Sequence, residues 1–273
     1  MLRTLTLKKT SWPSSADIWA QLLLEQMEEE LSQRQTPDAV QLMRQSGITP
    51  DPWQEALLTS TAPRTVILAS RQSGKSTTCA VLALHQALAQ PGSLILLLSP
   101  SLRQSQELFK KVTEVYRAAG HPAPLHAESA LRYELDNASR IIALPGTESN
   151  IRGYSRVNLL IIDEAARVAD ELYYSVRPML ATSGGRLILL STPFGQRGFF
   201  FQTWAEGEGW TRIKVVASDC PRIAPNFLDE ERRTLPPLWF QSEYLCEFCD
   251  TIDAVFLSSE VRAALSDQIA PLF

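Results

Sequence analysis

The chain has little cysteine, little net charge and no long apolar run, and each shortage removes a class of protein. Four cysteines, Cys79, Cys220, Cys246 and Cys249, are too few and too scattered among 273 residues for a disulfide framework. Cys246 and Cys249 form one C-x-x-C, but no second pair of thiolates or imidazoles lies nearby to complete a zinc site, so ordinary buried or half-buried thiols are expected. A net charge of −4 and a pI near 5.5 give no overall attraction to nucleic acid, so any such contact must be local or arise through assembly. No apolar stretch is long enough to cross a bilayer, and the opening MLRTLTLKK lacks a following apolar core, which predicts a soluble intracellular protein. Internal repeats and low-complexity linkers are missing too. What is left is an ordinary globular composition, 45% hydrophobic and 21% charged, with length for one domain or one and a half.

The chain is organised around Thr65 to Ser76, TVILASRQSGKS. Val66 to Leu68 read as a short buried strand, and from Thr77 the apolar residues fall at helical spacing, so a polar segment joins strand to helix. That is where a phosphate-binding loop belongs, because a helix N-terminus offers unpaired N–H groups and the positive end of its dipole to an anion. Gly74 lets the backbone approach, Lys75 has the reach for β- and γ-phosphates, and Ser76 supplies a hydroxyl for Mg2+. The match to G-x-x-x-x-G-K-[ST] is incomplete, with Ala69 where the first glycine would stand. Asn158 to Ala166, NLLIIDEAA, supplies the second half: a buried-strand run ending in Asp163 and Glu164. Acids at the C-terminal end of a parallel strand face the ligand edge of an α/β sheet, where Asp163 would hold Mg2+ and Glu164 would polarise the attacking water. The plainer reading of Asp163 is as a helix cap.

Ser14 to Gly47 carries a helical apolar face interrupted at Pro37 and resumed over Ala39 to Arg44, a lead-in packing on the main sheet. In Thr49 to Leu58, Gln54 opens a helix, with an amide suited to an adenine edge, and Trp53 is either core or a stacking wall. Leu94 to Pro100 reads as a second buried strand, Leu102 to Ala119 as a helix, and Gly120 to Leu125 as a loop. On that helix Arg103, Lys110, Lys111 and Arg117 form either a solvated face or a nucleic-acid contact. Leu131 to Leu144 alternates as a hairpin turning at Asn137 to Ser139, and Gly146 to Arg156 is a polar loop. Asp170 to Leu180 is helical, and Arg186 to Pro193 is a strand ending in Ser191, Thr192 and Pro193 on the phosphate edge, either γ-phosphate sensors or a plain turn. A helix over Phe199 to Trp204, a strand over Thr211 to Ala217 and a helical stretch over Phe227 to Phe248 broken at Pro236 and Pro237 complete the order.

Placed in that order, PWQ at Pro52 to Gln54, SRQSGKST at Ser70 to Thr77, LIIDEA at Leu160 to Ala165 and STPFGQRGFF at Ser191 to Phe200 resemble the ATPase half of the large terminase subunit of tailed bacteriophages, over roughly residues 50–256. The loop resembles the family's R-x-x-G-K-[ST] form, so the missing first glycine fits. The resemblance implies an α/β, RecA-like P-loop NTPase of the additional-strand (ASCE) type, with a central, mostly parallel sheet flanked by helices. The expected layout is a helical N-terminal lead-in over 1–48, the ATPase domain over 49–252, and a tail over 253–273 that begins a linker to a nuclease domain absent from this chain. By matching position, Gln54 would read adenine, and Ser70, Arg71, Gln72, Ser73, Gly74, Lys75, Ser76 and Thr77 would cradle ATP. Ser76 and Asp163 would hold Mg2+, Glu164 would be the catalytic carboxylate, with Arg71 beside the phosphates, and Ser191, Thr192 and Pro193 would couple hydrolysis to movement. Arg152 resembles an arginine finger offered to the neighbouring subunit, though a loop arginine paired with a nearby acid would look the same in sequence. The implied role is ATP-driven translocation of double-stranded DNA into a prohead by a homo-oligomeric ring, with a portal protein and a small terminase subunit as partners, in the cytoplasm of a bacterial host. No nuclease activity and no membrane partner are expected. Two rivals share the motifs: a superfamily 2 helicase fragment, and a degenerate prophage remnant that binds nucleotide without turnover.

Overall fold

A computed structural model describes residues 37–146, 151–249 and 264. The sheet has eight strands: β1 (Arg64–Ala69), β2 (Leu94–Ser99), β3 (Leu125–Ser129), β4 (Arg132–Leu135), β5 (Arg140–Pro145), β6 (Leu159–Asp163), β7 (Arg186–Ser191) and β8 (Thr211–Val215), in the order β3-β4-β5-β2-β6-β7-β1-β8. From β5 to β8 every neighbouring pair is parallel, and β3 and β4 extend the sheet as an antiparallel hairpin. The helices are α1 (Ala39–Gln45), α2 (Pro52–Thr59), α3 (Lys75–Ala89), α4 (Leu102–Ala118), α5 (Asp170–Val176), α6 (Gly198–Glu206), α7 (Pro225–Thr234) and α8 (Pro237–Glu243).

Helices cover both faces of the parallel strands, so the central strands are apolar at almost every position instead of alternating with polar residues. Side-chain alternation then sorts one strand between two cores. Ile95 and Leu97 of β2 join Ile67, Ile161 and Ile188 under α1 to α4, while Leu94, Leu96 and Leu98 join Val66, Leu160 and Leu189 under α5 and α6. On the second face Tyr173 of α5 stacks on Phe199 of α6 with ring centroids 3.9 Å apart. The turn into β7 requires Gly185, because a Cβ there would lie 2.0 Å from the Val157 carbonyl oxygen.

Among the described residues the expected elements are present, with one addition: β3 (Leu125–Ser129) begins at the last residue of the segment read as a loop. The helical stretch after Phe227 ends at Glu243, short of Phe248. The lead-in before Pro37 and the tail beyond residue 249 lie outside the described residues, apart from Ala264. What α1 contributes is Ala39, Leu42 and Met43, all buried in the first core. No helix among the described residues is long and apolar enough to cross a membrane.

Candidate nucleotide site

Parallel pairing brings the C-terminal ends of β1, β7 and β6 to one edge. Leu68 lies opposite Ser191, and Leu190 opposite Asp163, so the loop after β1, the serine closing β7 and the acid closing β6 lie side by side. The strand β7 lies between the strand that leads into the loop and the strand that ends in the acid pair.

The loop is pinned at its base by Ser70 N–H donating to the Val215 carbonyl at 2.9 Å, and it closes through Ser73 Oγ donating to the Ser70 carbonyl at 2.8 Å. Gln72 takes a left-handed conformation at φ 57°, and Gly74 caps α3 at φ 91°. A Cβ on Gly74 would lie 2.7 Å from Gln54 Nε2 and displace that amide, and the left-handed φ itself favours glycine. The first turn of α3 carries Lys75, Ser76 and Thr77, whose N–H groups have no carbonyl one turn earlier in the helix to receive them. Lys75 is buried, and its Nζ donates to the carbonyls of Ala69 at 3.0 Å and Ser70 at 2.8 Å. One of its three N–H donors remains for a phosphate oxygen. Thr77 lines a cavity of about 210 Å³ with Ser46, Lys111 and Glu114, which neither Asp163 nor Glu164 lines.

Ser76 Oγ donates to Asp163 Oδ2 at 3.2 Å, joining loop and acid pair across 87 residues of sequence. Asp163 Oδ1 accepts from the Glu164 N–H at 3.0 Å, while Oδ2 faces the loop. Asp163 is not the helix cap of the plainer reading, because the following 3-10 turn has Glu164 at its N-cap and no side-chain cap bond. Burial, followed by the neighbouring Glu164 charge, pushes the Asp163 carboxyl up to about 6, against the opposing pull of Lys75. Hard oxygen donors this close together, beside a lysine, suit Mg2+ with a polyphosphate. Glu164 sits at φ 51°, ahead of a 3-10 turn over Ala165–Arg167, and its Oε2 accepts from Ser191 Oγ at 3.4 Å. Ser191 and Thr192 are buried, and the Pro193 carbonyl accepts from Ser242 Oγ at 3.2 Å.

Gln54 is buried at the base of the loop, its Oε1 accepting from Asp51 N–H and its Nε2 donating to Thr78 Oγ1, both at 2.8 Å. These bonds use one amide donor and one lone pair, leaving one of each. Arg71 is ion-paired with Glu243 of α8, which raises its pKa, and the Glu164 charge acts on it in the same sense. The backbone of Arg152 lies in a 3-10 turn over Ile151–Gly153, and its side chain is not among those described.

Three residues of this neighbourhood, Arg222, Glu243 and Arg167, carried no signal in their local sequence. Arg222 forms a bidentate pair with Asp51 at 2.9 and 2.7 Å and donates to the Ser73 carbonyl at 3.1 Å, tying the start of α2 to the loop. Glu243 receives Arg71 on both oxygens, with Arg167 at 4.0 Å from Oε1. Only the D-x-x-Q spacing of Asp51 and Gln54, a variant of the capping box, could have flagged one end of the Arg222 contact.

The model of the family Terminase large subunit, T4likevirus-type, N-terminal, matches residues 66–262, most of the chain. The chain belongs to this terminase family. The large terminase subunit of Thermus phage G20c is 26% identical over 247 residues, covering 77% of this chain and 51% of that protein. This terminase chain thus spans about half the length of the curated relatives it matches. Among solved structures, the large terminase ATPase domain of Thermus phage P74-26 superposes with a TM-score of 0.67 at 24% identity, covering 76% of this chain and 96% of that one. The large terminase of a thermophilic bacteriophage, solved in complex with ADP, gives a TM-score of 0.63 at 10% identity over 73% of this chain and 54% of that one. The RecA-like fold expected of a large terminase is the fold observed.

Proposed function

We propose that this chain binds ATP with Mg2+ and hydrolyses it as the motor part of a terminase large subunit, with residues 49–252 as its ATPase domain. The observation that carries the reading is the convergence of Lys75, the Ser76–Asp163 pair and Glu164 at one sheet edge. The terminase solved in complex with ADP, and another structure of it with ATP-gamma-S, support nucleotide binding by a chain of this fold.

Gln54 meets the adenine edge with its remaining amide donor and acceptor, and the first-turn N–H groups of α3 receive the phosphates. Lys75 and Arg71 place positive charge against the γ-phosphoryl group as negative charge develops on its oxygens. Mg2+, when bound by Ser76 and Asp163, neutralises part of the phosphate charge. Glu164 takes the proton of the attacking water, oriented by the Ser191 hydroxyl, and Arg152 completes the site from a neighbouring subunit. Because Ser191 ends β7 and leads into Thr192 and Pro193, loss of the γ-phosphate reaches this segment, which is how hydrolysis would drive movement. The motor would act as a homo-oligomeric ring in the bacterial cytoplasm, moving double-stranded DNA into a prohead with portal protein and small terminase subunit as partners.

Glu164→Ala is expected to lower ATP turnover by at least about a hundredfold while a fluorescent ATP analogue still binds within a few-fold of the parent. Lys75→Ala is expected to weaken binding of that analogue itself. Unchanged turnover by Glu164→Ala removes it from the catalytic role. Packaging of double-stranded DNA with portal and proheads, set against unwinding of a tailed duplex, separates a translocase from a helicase.

A further inference from the structure

The chain carries a net charge of −4, yet the sheet edge opposite the nucleotide site is lined by arginine. Because β5, β2, β6, β7 and β1 run parallel, their first residues lie together on that edge, in that order. Two cavities follow it. One, of about 610 Å³, lies at the starts of β5, β2 and β6, with Arg140, Ser155, Arg156 and Asn158 in its walls. The other, of about 540 Å³, lies at the starts of β7 and β1, with Arg64 and Arg177 in its walls. The turn before β7 separates them: Thr182 and Ser183 line the first, Gly184 and Gly185 the second. Among the described residues, no aspartate or glutamate lines either cavity.

Backbone bonds set the floor of the first cavity and leave its side-chain donors uncommitted. Arg140 N–H donates to the Ser93 carbonyl at 2.8 Å. Asn158 Oδ1 accepts from Leu94 N–H at 2.9 Å, which fixes the amide and leaves its N–H groups for another acceptor. Among the described residues none of the four arginines is ion-paired, and Arg177 lies 5.5 Å over the Tyr173 ring. The cations of α4 differ, since Lys111 is paired with Glu114 at 2.7 Å and Glu107 lies on the same helix.

We propose that this edge is a track for the phosphodiester backbone of double-stranded DNA. The proposal rests on the DNA-moving role stated above, though not on the chemistry of the nucleotide site. From β5 to β1 there are four strand spacings, roughly 19 Å, enough for about five phosphates of one DNA strand. A single small anion would engage one pair of arginines, whereas two pairs in line suit a charge that repeats. Guanidinium, amide and hydroxyl donors hold phosphate oxygens without reading the bases, as a motor indifferent to sequence requires. DNA and nucleotide would then be held at opposite ends of the same strands. β7 joins the two, beginning at Arg186 beside the turn between the cavities and ending at Ser191 beside Glu164.

Fluorescence anisotropy of a labelled mixed-sequence duplex, titrated without nucleotide across a salt series, tests the track. Changing Arg64→Gln, Arg140→Gln, Arg156→Gln and Arg177→Gln together is expected to weaken binding at low salt at least about tenfold and to flatten the slope of log K against log salt by about 3 to 4. The pair from either cavity alone should account for about half of that flattening. Circular dichroism and the affinity for a fluorescent ATP analogue should stay parent-like in all three variants. If the fourfold variant does not fold, the two pair variants carry the measurement. A parent-like slope in the variants overturns the track alone, as does a loss confined to one cavity, or a loss seen instead in Lys110→Gln with Arg117→Gln. Displacement of the duplex by poly-glutamate as readily as by polyphosphate overturns the assignment to a phosphodiester partner. A parent that binds no duplex even at low salt overturns the track together with the DNA-moving role.

Discussion

Asp163 holds its carboxyl where an unfolded chain would not. Its pKa rises from 3.8 to about 6 because the group is buried beside Glu164, with Lys75 only partly compensating. Between those two values the folded chain retains a proton that the unfolded chain releases. The stability this group contributes is therefore fully present below about pH 4 and is lost as pH rises through 6. Asp163→Asn removes the charge but keeps the shape. Without nucleotide or Mg2+ it is expected to raise unfolding free energy at pH 7.5 by about 1–3 kcal/mol, an advantage that shrinks toward pH 4.5, while hydrolysis is lost. Urea titrations of both proteins across that range measure it, and a pH-independent difference would show that burial does not hold the proton. The residues of this cluster were legible in sequence because each ends an apolar strand or opens a helix: Lys75 and Ser76 after β1, Asp163 and Glu164 after β6, Ser191 at the end of β7.

Elements were legible where burial makes them so. β2 and β6 are apolar up to their last residues, Ser99 and Asp163, because both faces are covered, and α4 shows one apolar face because one side is. β3 is mostly exposed, its sequence LHAES has no period, and its pairing with β4 shifts register between Leu125 and Ala127, so nothing local announced it. The braces across elements were hidden for another reason. Asp51 and Arg222 are 171 residues apart, and Arg71 and Glu243 are 172 apart, so neither sequence neighbourhood contains its partner. The first brace sets the place of α2 against the phosphate loop. Asp51 is 6% exposed and Arg222 47%, so solvent screens the pair on one side and its net worth is modest. Removing Arg222 costs more, because a buried carboxylate and the Ser73 carbonyl both lose a donor. Arg222→Ala is expected to lower stability by about 1–2 kcal/mol and to weaken nucleotide binding several-fold as Gln54 and Gly74 lose registry. Denaturation curves and analogue titrations on Arg222→Ala and on Asp51→Asn with Arg222→Ala test it. The double variant should be less damaged than Arg222→Ala alone, and equal damage would mean that no stranded charge is involved.

At the scale of the whole molecule, the sheet gathers Lys75, Ser76, Asp163, Glu164 and Ser191 on one edge, with β7 between the strand that leads to Lys75 and the strand that ends in Asp163. A change at a γ-phosphate bound there would be met by a central strand that continues into Thr192 and Pro193, whose carbonyl accepts from Ser242, the neighbour of the Glu243 that pairs with Arg71. Arg152 belongs to a different segment, the turn over Ile151–Gly153 between β5 and β6. If that arginine serves the next subunit, catalysis requires two chains, one giving Glu164 and the other Arg152. Glu164→Ala and Arg152→Ala are then each inert as homogeneous assemblies but complement when mixed, because some interfaces combine an intact Glu164 with an intact Arg152. The parent's specific activity should also climb with chain concentration as interfaces form. ATP turnover of the two variants, separately and mixed under packaging conditions, measures this. Absence of recovery on mixing, or parent-like turnover by Arg152→Ala, would confine catalysis to a single chain and leave Arg71 and Lys75 to supply the positive charge.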